Sequence, residues 1–117
     1  EACRHRAEAA EEWLRLTERP TAVFCSCDEA AFGFIAALRR KEIRVPEDVS
    51  VVGFDDIPLA DHYCPALTTV RQPHRELGTT AVRMLLERIR DVEASIPNQL
   101  LEGKLIVRDS TGHPPIT

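Results

Sequence analysis

The sequence predicts an α/β fold, a parallel sheet flanked by helices, and three observations carry that prediction. "TAVFCS" (21–26) and "VSVVGF" (49–54) are short, nearly continuous apolar runs bounded by proline and polar clusters, the pattern of strands covered on both faces. The segment between them repeats apolar residues at helical spacing. Strand, helix and buried strand in succession form a βαβ unit, whose crossover is right-handed and whose strands run parallel.

Each element has its own warrant. From 1 to about 18, Cys3, Ala7, Ala10 and Leu14 recur at gaps of four, three and four, one side of a helix that Trp13 and Leu16 widen and Pro20 stops. The first strand follows at 21–26. Ser26-Cys27-Asp28-Glu29 then fits a capping box, with Asp28 an equally good cap one frame along. Ala31, Ile35 and Leu38 define one side of the second helix, but Ala30, Phe32, Phe34 and Ala37 leave little polar surface before Arg39. Such a helix needs covering twice, so Phe32 calls for a partner beyond the sheet unless it stands alone at the surface. A turn through Pro46 leads into the second strand. Beyond Asp56 comes a loop with internal prolines, in which "LTTVRQ" (67–72) alternates like a short strand. Gly78, Val82, Leu85 and Ile89, with Leu77, Ala81 and Met84 beside them, mark a helix over 76–89. "NQLLEGKLIVRDST" (98–111) reads as a closing strand weakened by Gly103, and "GHPPIT" as a tail. No internal repeat or low-complexity segment interrupts this order.

Composition narrows the function. Lys plus Arg is 15 and Asp plus Glu is 19, a net charge of −4, the wrong sign for a domain that neutralises phosphates. The densest basic cluster, Arg39-Arg40-Lys41, falls in the last turn of a helix, where the backbone dipole favours cations. No run approaches the roughly 18 apolar residues of a membrane span, and the charged start "EACRHRAEAAEEW" predicts no secretion signal. Without an initiator Met and beginning inside a helical pattern, the chain is expected to be part of something longer. Cys3, Cys25, Cys27 and Cys64 lack C-x-x-C spacing, so free thiols are expected and no metal.

The chemistry points to binding. In an open parallel sheet, ligands sit beyond the carboxyl ends of the strands. Ser26, Cys27 and Asp28 close one strand there, and Asp55 and Asp56 close its neighbour. A carboxylate on that rim accepts hydrogen bonds from hydroxyls, at roughly 1.5–3 kcal/mol each, which suits sugars and polar heterocycles. Capping the next turn is the competing role, above all for Asp56 before Ile57-Pro58. Catalysis has no motif in its favour: no G-x-S-x-G, H-E-x-x-H, phosphate loop or G-x-G-x-x-G, and four scattered histidines. No enzyme activity and no cofactor are predicted.

The stretch from Arg19 to about Arg90, above all "RVPEDVSVVGFDD" and "PALTTVRQP", together with the closing "LIVRDST", resembles the C-terminal part of the lactose-repressor and galactose-repressor family of bacterial transcription regulators. The resemblance implies a Rossmann-like subdomain of a periplasmic-binding-protein-like fold, with residues 1–117 a C-terminal part of the effector-binding and dimerisation domain, and the DNA-binding head and most of the N-terminal subdomain outside it. It implies a small-molecule, sugar-like effector contacted by Asp55, Asp28, Cys27, Gln72 and His74; the family commonly has Asn where Cys27 stands. It implies a homodimer through Phe32, Leu59, His62 and Tyr63, operator DNA bound only through the head, no membrane, and a cytoplasmic location. Glu42 stands where the family usually ends its helix on glycine. A periplasmic solute-binding protein and a phosphate-accepting receiver domain are the alternatives. In the family the helix at 76–89 packs on the other subdomain, so this chain is expected to repack it or exchange it with a second copy, and to bind effector poorly by itself.

Overall fold

Eight elements follow one another along the chain: α1 (Ala2–Arg15), β1 (Ala22–Phe24), α2 (Asp28–Arg39), β2 (Ser50–Asp55), α3 (Leu59–His62), β3 (Thr68–Arg71), α4 (His74–Arg90) and β4 (Lys104–Ile106). The computed structural model describes residues 2–115, with side chains from residue 8 onward. Cys3 and Ala7 of the expected α1 stripe therefore lie outside the described side chains. The chain divides into two units, residues 1–71 with 105–117 and residues 72–104.

In the first unit β1 and β2 run parallel, with Val23 opposite Val51, and β2 and β3 run parallel, with Gly53 opposite Thr69. The sheet order is β1-β2-β3-β4. The predicted βαβ unit is thus present, and β2, flanked on both edges, forms the centre. Its Val51 is fully buried, as are Val49, Leu67, Leu38 and Ala31, with Ile35 at 2% exposure. Each large aliphatic side chain so placed contributes roughly 1.5–3 kcal/mol. α1 covers the far side of α2: Trp13 meets Phe34 edge to face at 6.4 Å between centroids, and its Nε1 donates to the Pro20 carbonyl at 3.1 Å.

Several local expectations are corrected. β1 is not covered on both faces, since Phe24 is 64% exposed, with its ring edge to face against that of Phe54. Leu16, expected to widen the buried side of α1, is 45% exposed, because the helix ends at Arg15. α2 begins at Asp28 with Cys27 as its cap residue and no side-chain cap bond, so the capping box from Ser26 does not form. The closing strand shrinks to Lys104–Ile106 directly after Gly103. The residues that follow bind the sheet by other means: Ser110, fully buried, donates from Oγ to the Val51 carbonyl and accepts from the Thr68 N–H, at 2.6 and 2.8 Å.

The departure at Glu42 has structural content. α2 closes with the Ile43 N–H donating to the Leu38 carbonyl and the Glu42 N–H to the Arg39 carbonyl, the pair of bonds of a Schellman motif. That motif needs a left-handed residue, and Glu42 supplies it at φ 59.

The second unit holds α4. None of its residues is buried; Leu77, Val82, Leu85, Leu86 and Ile89 are between 41% and 66% exposed. The helix forms as its period predicts, and its apolar stripe stays largely exposed. Among the described residues no helix is long and apolar enough to cross a membrane.

Candidate functional site

Because β1 and β2 are parallel, their carboxyl ends share one edge of the sheet, and the acids at 28, 55 and 56 follow directly from them. Their environments then separate them into different roles.

Asp28 is fully buried. Its Oδ2 accepts from the Ile57 N–H at 2.8 Å and its Oδ1 from Thr69 Oγ1 at 2.5 Å. Gly53 makes room for it, since a Cβ there would lie 2.3 Å from Asp28 Oδ1. Asp28 was expected as a ligand contact; here both of its oxygens accept from the protein itself. Asp28 instead fastens the start of α2 to the loop after β2 and to β3.

Asp56 is a second internal anchor. Its side chain is 5% exposed and lies between two guanidinium groups, Arg71 Nε at 2.5 Å and Arg108 Nη2 at 2.8 Å. Burial pushes its carboxyl up, but the bonds from Arg108 and Arg71 outweigh that and hold it below its ordinary value of 3.8. Asp56 was expected either to accept from a ligand or to form a turn, and Arg71, Arg108 and Thr69 were not singled out. A signal was present in that "TTVR" and "LIVR" each end an apolar run on arginine.

Asp55 sits between these anchors, half-buried at the end of β2. Its φ is 116 and that of Asp56 is 56, two successive non-glycine residues at positive φ, each costing of order 1–3 kcal/mol. Strain of that kind persists where neighbouring bonds over-determine the backbone, and here the bonds from the Ile57 N–H to Asp28 and from both arginines to Asp56 do so.

Cys27 is half-buried at the cap of α2. Cys25, Cys27 and Cys64 are free, and burial, with a smaller contribution from Cys27, pushes the Cys25 thiol up to about 11, which leaves it inert at neutral pH. No cluster of three metal-ligating side chains occurs among the described residues. Gln72 and His74 belong to the second unit, Gln72 half-buried and His74 exposed as the first residue of α4.

The residues expected at a dimer interface divide into two groups. Phe32 is only 9% exposed and lies against Tyr63, with centroids 4.4 Å apart and the Tyr63 hydroxyl donating to the Phe32 carbonyl at 3.2 Å. The second cover that α2 required is thus supplied within the chain. Leu59, 51% exposed, and the exposed His62 on α3 present the open surface.

A parallel βαβ-type sheet with a polar rim at its carboxyl edge is the architecture of a binding domain, and a family described as the periplasmic binding protein-like domain matches residues 1–111. The chain belongs to that family. It is 52% identical over 83 residues to the HTH-type transcriptional repressor PurR of Vibrio atlanticus, covering 71% of this chain and 25% of that protein. A LacI-family transcriptional regulator from Enterococcus faecium, solved with bound ribose, matches 98% of this chain and 41% of its own at a TM-score of 0.80 and 33% identity. The lac repressor dimer bound to operator and an anti-inducer matches 91% of this chain and 37% of its own, at a TM-score of 0.79 and 36% identity. The resemblance to the lactose-repressor family is borne out. The chain spans 25% and 32% of the length of the first two curated relatives it matches.

Proposed function

We propose that this chain is the C-terminal part of the effector-sensing and dimerisation domain of a ligand-responsive transcriptional repressor. The observation that carries the proposal is Asp55: a half-buried carboxylate ending the central parallel strand, its strained backbone braced by Asp28 on one side and Asp56 on the other. Its ligand is a sugar or a related small polar molecule. Cys27 supplies a further contact, while Asp28 positions. Support for the sugar class comes from neighbours solved with ribose and with cellobiose.

The mechanism is a shift between two states rather than a reaction, so no catalytic residue is assigned. A ligand that binds one arrangement of the domain more tightly than the other moves the population toward it. Leu59 and His62 carry that change to a second copy of the protein, and a DNA-binding head outside this chain reads the operator. Such a regulator works in the cytoplasm.

Calorimetric titration of the longer protein with ribose, cellobiose and a set of related sugars tests this. At least one sugar should bind, and Asp55→Asn should weaken it about tenfold or more, the value of a hydrogen bond to a charged group. No binding by any sugar would overturn the sugar assignment, and unchanged affinity in the variant would overturn the role of Asp55. The isolated chain should bind the same sugar far more weakly.

A further inference from the structure

Of the two guanidinium groups on Asp56, that of Arg108 reaches three segments of the chain at once. Arg108, its side chain 12% exposed, donates from Nη2 to Asp56 Oδ1 at 2.8 Å, from Nε to Asp61 Oδ1 on α3 at 3.1 Å, and from Nη1 to the Leu67 carbonyl at the entry to β3 at 2.8 Å. The Arg108 backbone N–H donates to Thr68 Oγ1 at 2.9 Å, which fixes the stem from which the side chain departs. The two acids it joins differ sharply: Asp56 is 5% exposed and Asp61 is 68% exposed. One arm is therefore a firm internal bond, and the other is an ion pair open to water, weak enough for a neighbouring contact to make or break.

We propose that Arg108 is a positioning residue that fixes the backbone of Asp55 and ties it to α3, so that the ligand-side carboxylate and the surface carrying Leu59 and His62 move together. The roles of those two ends rest on the function proposed above; the mechanical link stands on the geometry alone. Arginine is required because three acceptors lie in different directions around a planar fork, which a lysine ammonium on the same stem does not match.

Hydrogen exchange in the longer protein, read at the amides of residues 54–57 and 59–63, tests the link without any ligand. Arg108→Lys keeps a positive charge near Asp56 but loses the fork, and should speed exchange at 54–57 about tenfold or more. The decisive variant is Asp61→Asn, at an exposed residue whose replacement leaves the core intact. It should speed exchange at 54–57 about twofold through loss of the pair with Arg108, and Asp61→Glu should restore it. Exchange at 54–57 unchanged in Asp61→Asn would overturn the proposal whether or not Arg108→Lys folds. Failure of ribose and related sugars to bind would count against the proposed function and leave this result standing.

Discussion

Ile35 on α2 and Leu85 on α4 are both aliphatic residues on the apolar stripe of a well-formed helix, yet one is 2% exposed and the other 58%. In the first unit α2 is covered on one side by the sheet and on the other by Trp13 and Tyr63. No residue of the helix in the second unit is buried. The difference teaches that a helical period reports that a face is apolar, and not what covers it. Coverage is a property of the partners a chain brings with it.

The largest effect should come from testing that contrast directly. Ile35→Ala should lower stability by about 3–4 kcal/mol in urea unfolding, from lost burial and the cavity left behind. Leu85→Ala should change it by less than about 0.5 kcal/mol in this chain. A cost for Leu85→Ala near that of Ile35→Ala would break the comparison. In the longer protein, a cost rising to about 2 kcal/mol would show that this face is covered there.

The well-covered unit should be as intolerant of added volume as of lost volume. Gly53→Ala would set a Cβ 2.3 Å from Asp28 Oδ1 and 2.8 Å from a Leu67 methyl carbon, and Asp28 cannot yield without giving up its bonds to Ile57 and Thr69. Thermal unfolding should show a loss of about 3 kcal/mol. Gly78→Ala, where an added Cβ meets nothing within 4 Å, should instead gain from the better helix propensity.

Removing the charge from the Asp56 anchor should cost about 2 kcal/mol at neutral pH, the value of one charge-assisted bond lost to each arginine in part. The pH dependence has a definite sign. The folded state holds this carboxyl below its ordinary 3.8, so its contribution is complete well above that value and is lost as pH falls through 3.8 and then through the lower folded value. Unfolding measured at pH 7 and pH 3 should therefore show a smaller acid loss for Asp56→Asn than for the parent chain. A smaller effect should be a gain: Glu42→Gly relieves a left-handed residue at φ 59 and should raise stability by about 1 kcal/mol.

Much of this was legible in the residues. The apolar runs at 21–26 and 49–54 and the helix between them gave the parallel βαβ unit, and with it the common rim of Asp28, Asp55 and Asp56. Periodicity alone found α4, a little short at both ends. Which acids are tied into the fold was not legible, because that depends on tertiary partners remote in sequence: Thr69 for Asp28, and Arg71 and Arg108 for Asp56. Ser110 was hidden for the same reason. A serine in an apparent tail carries no periodic signal, and its burial follows from bonds to Val51 and Thr68 across more than 40 positions. Phe32 was left between needing cover and standing alone at the surface, and the sequence did not show that Tyr63 covers it.

The central claim is that one acid of the rim meets the ligand while the other two hold it in place. A crystal structure of the longer protein with a bound sugar measures this directly. The account predicts a carboxylate oxygen of Asp55 at about 3 Å from a ligand hydroxyl, with Asp28 still accepting from the Ile57 N–H and Thr69. A ligand bonded to Asp28 in place of those partners, or one lying out of reach of Asp55, would contradict it.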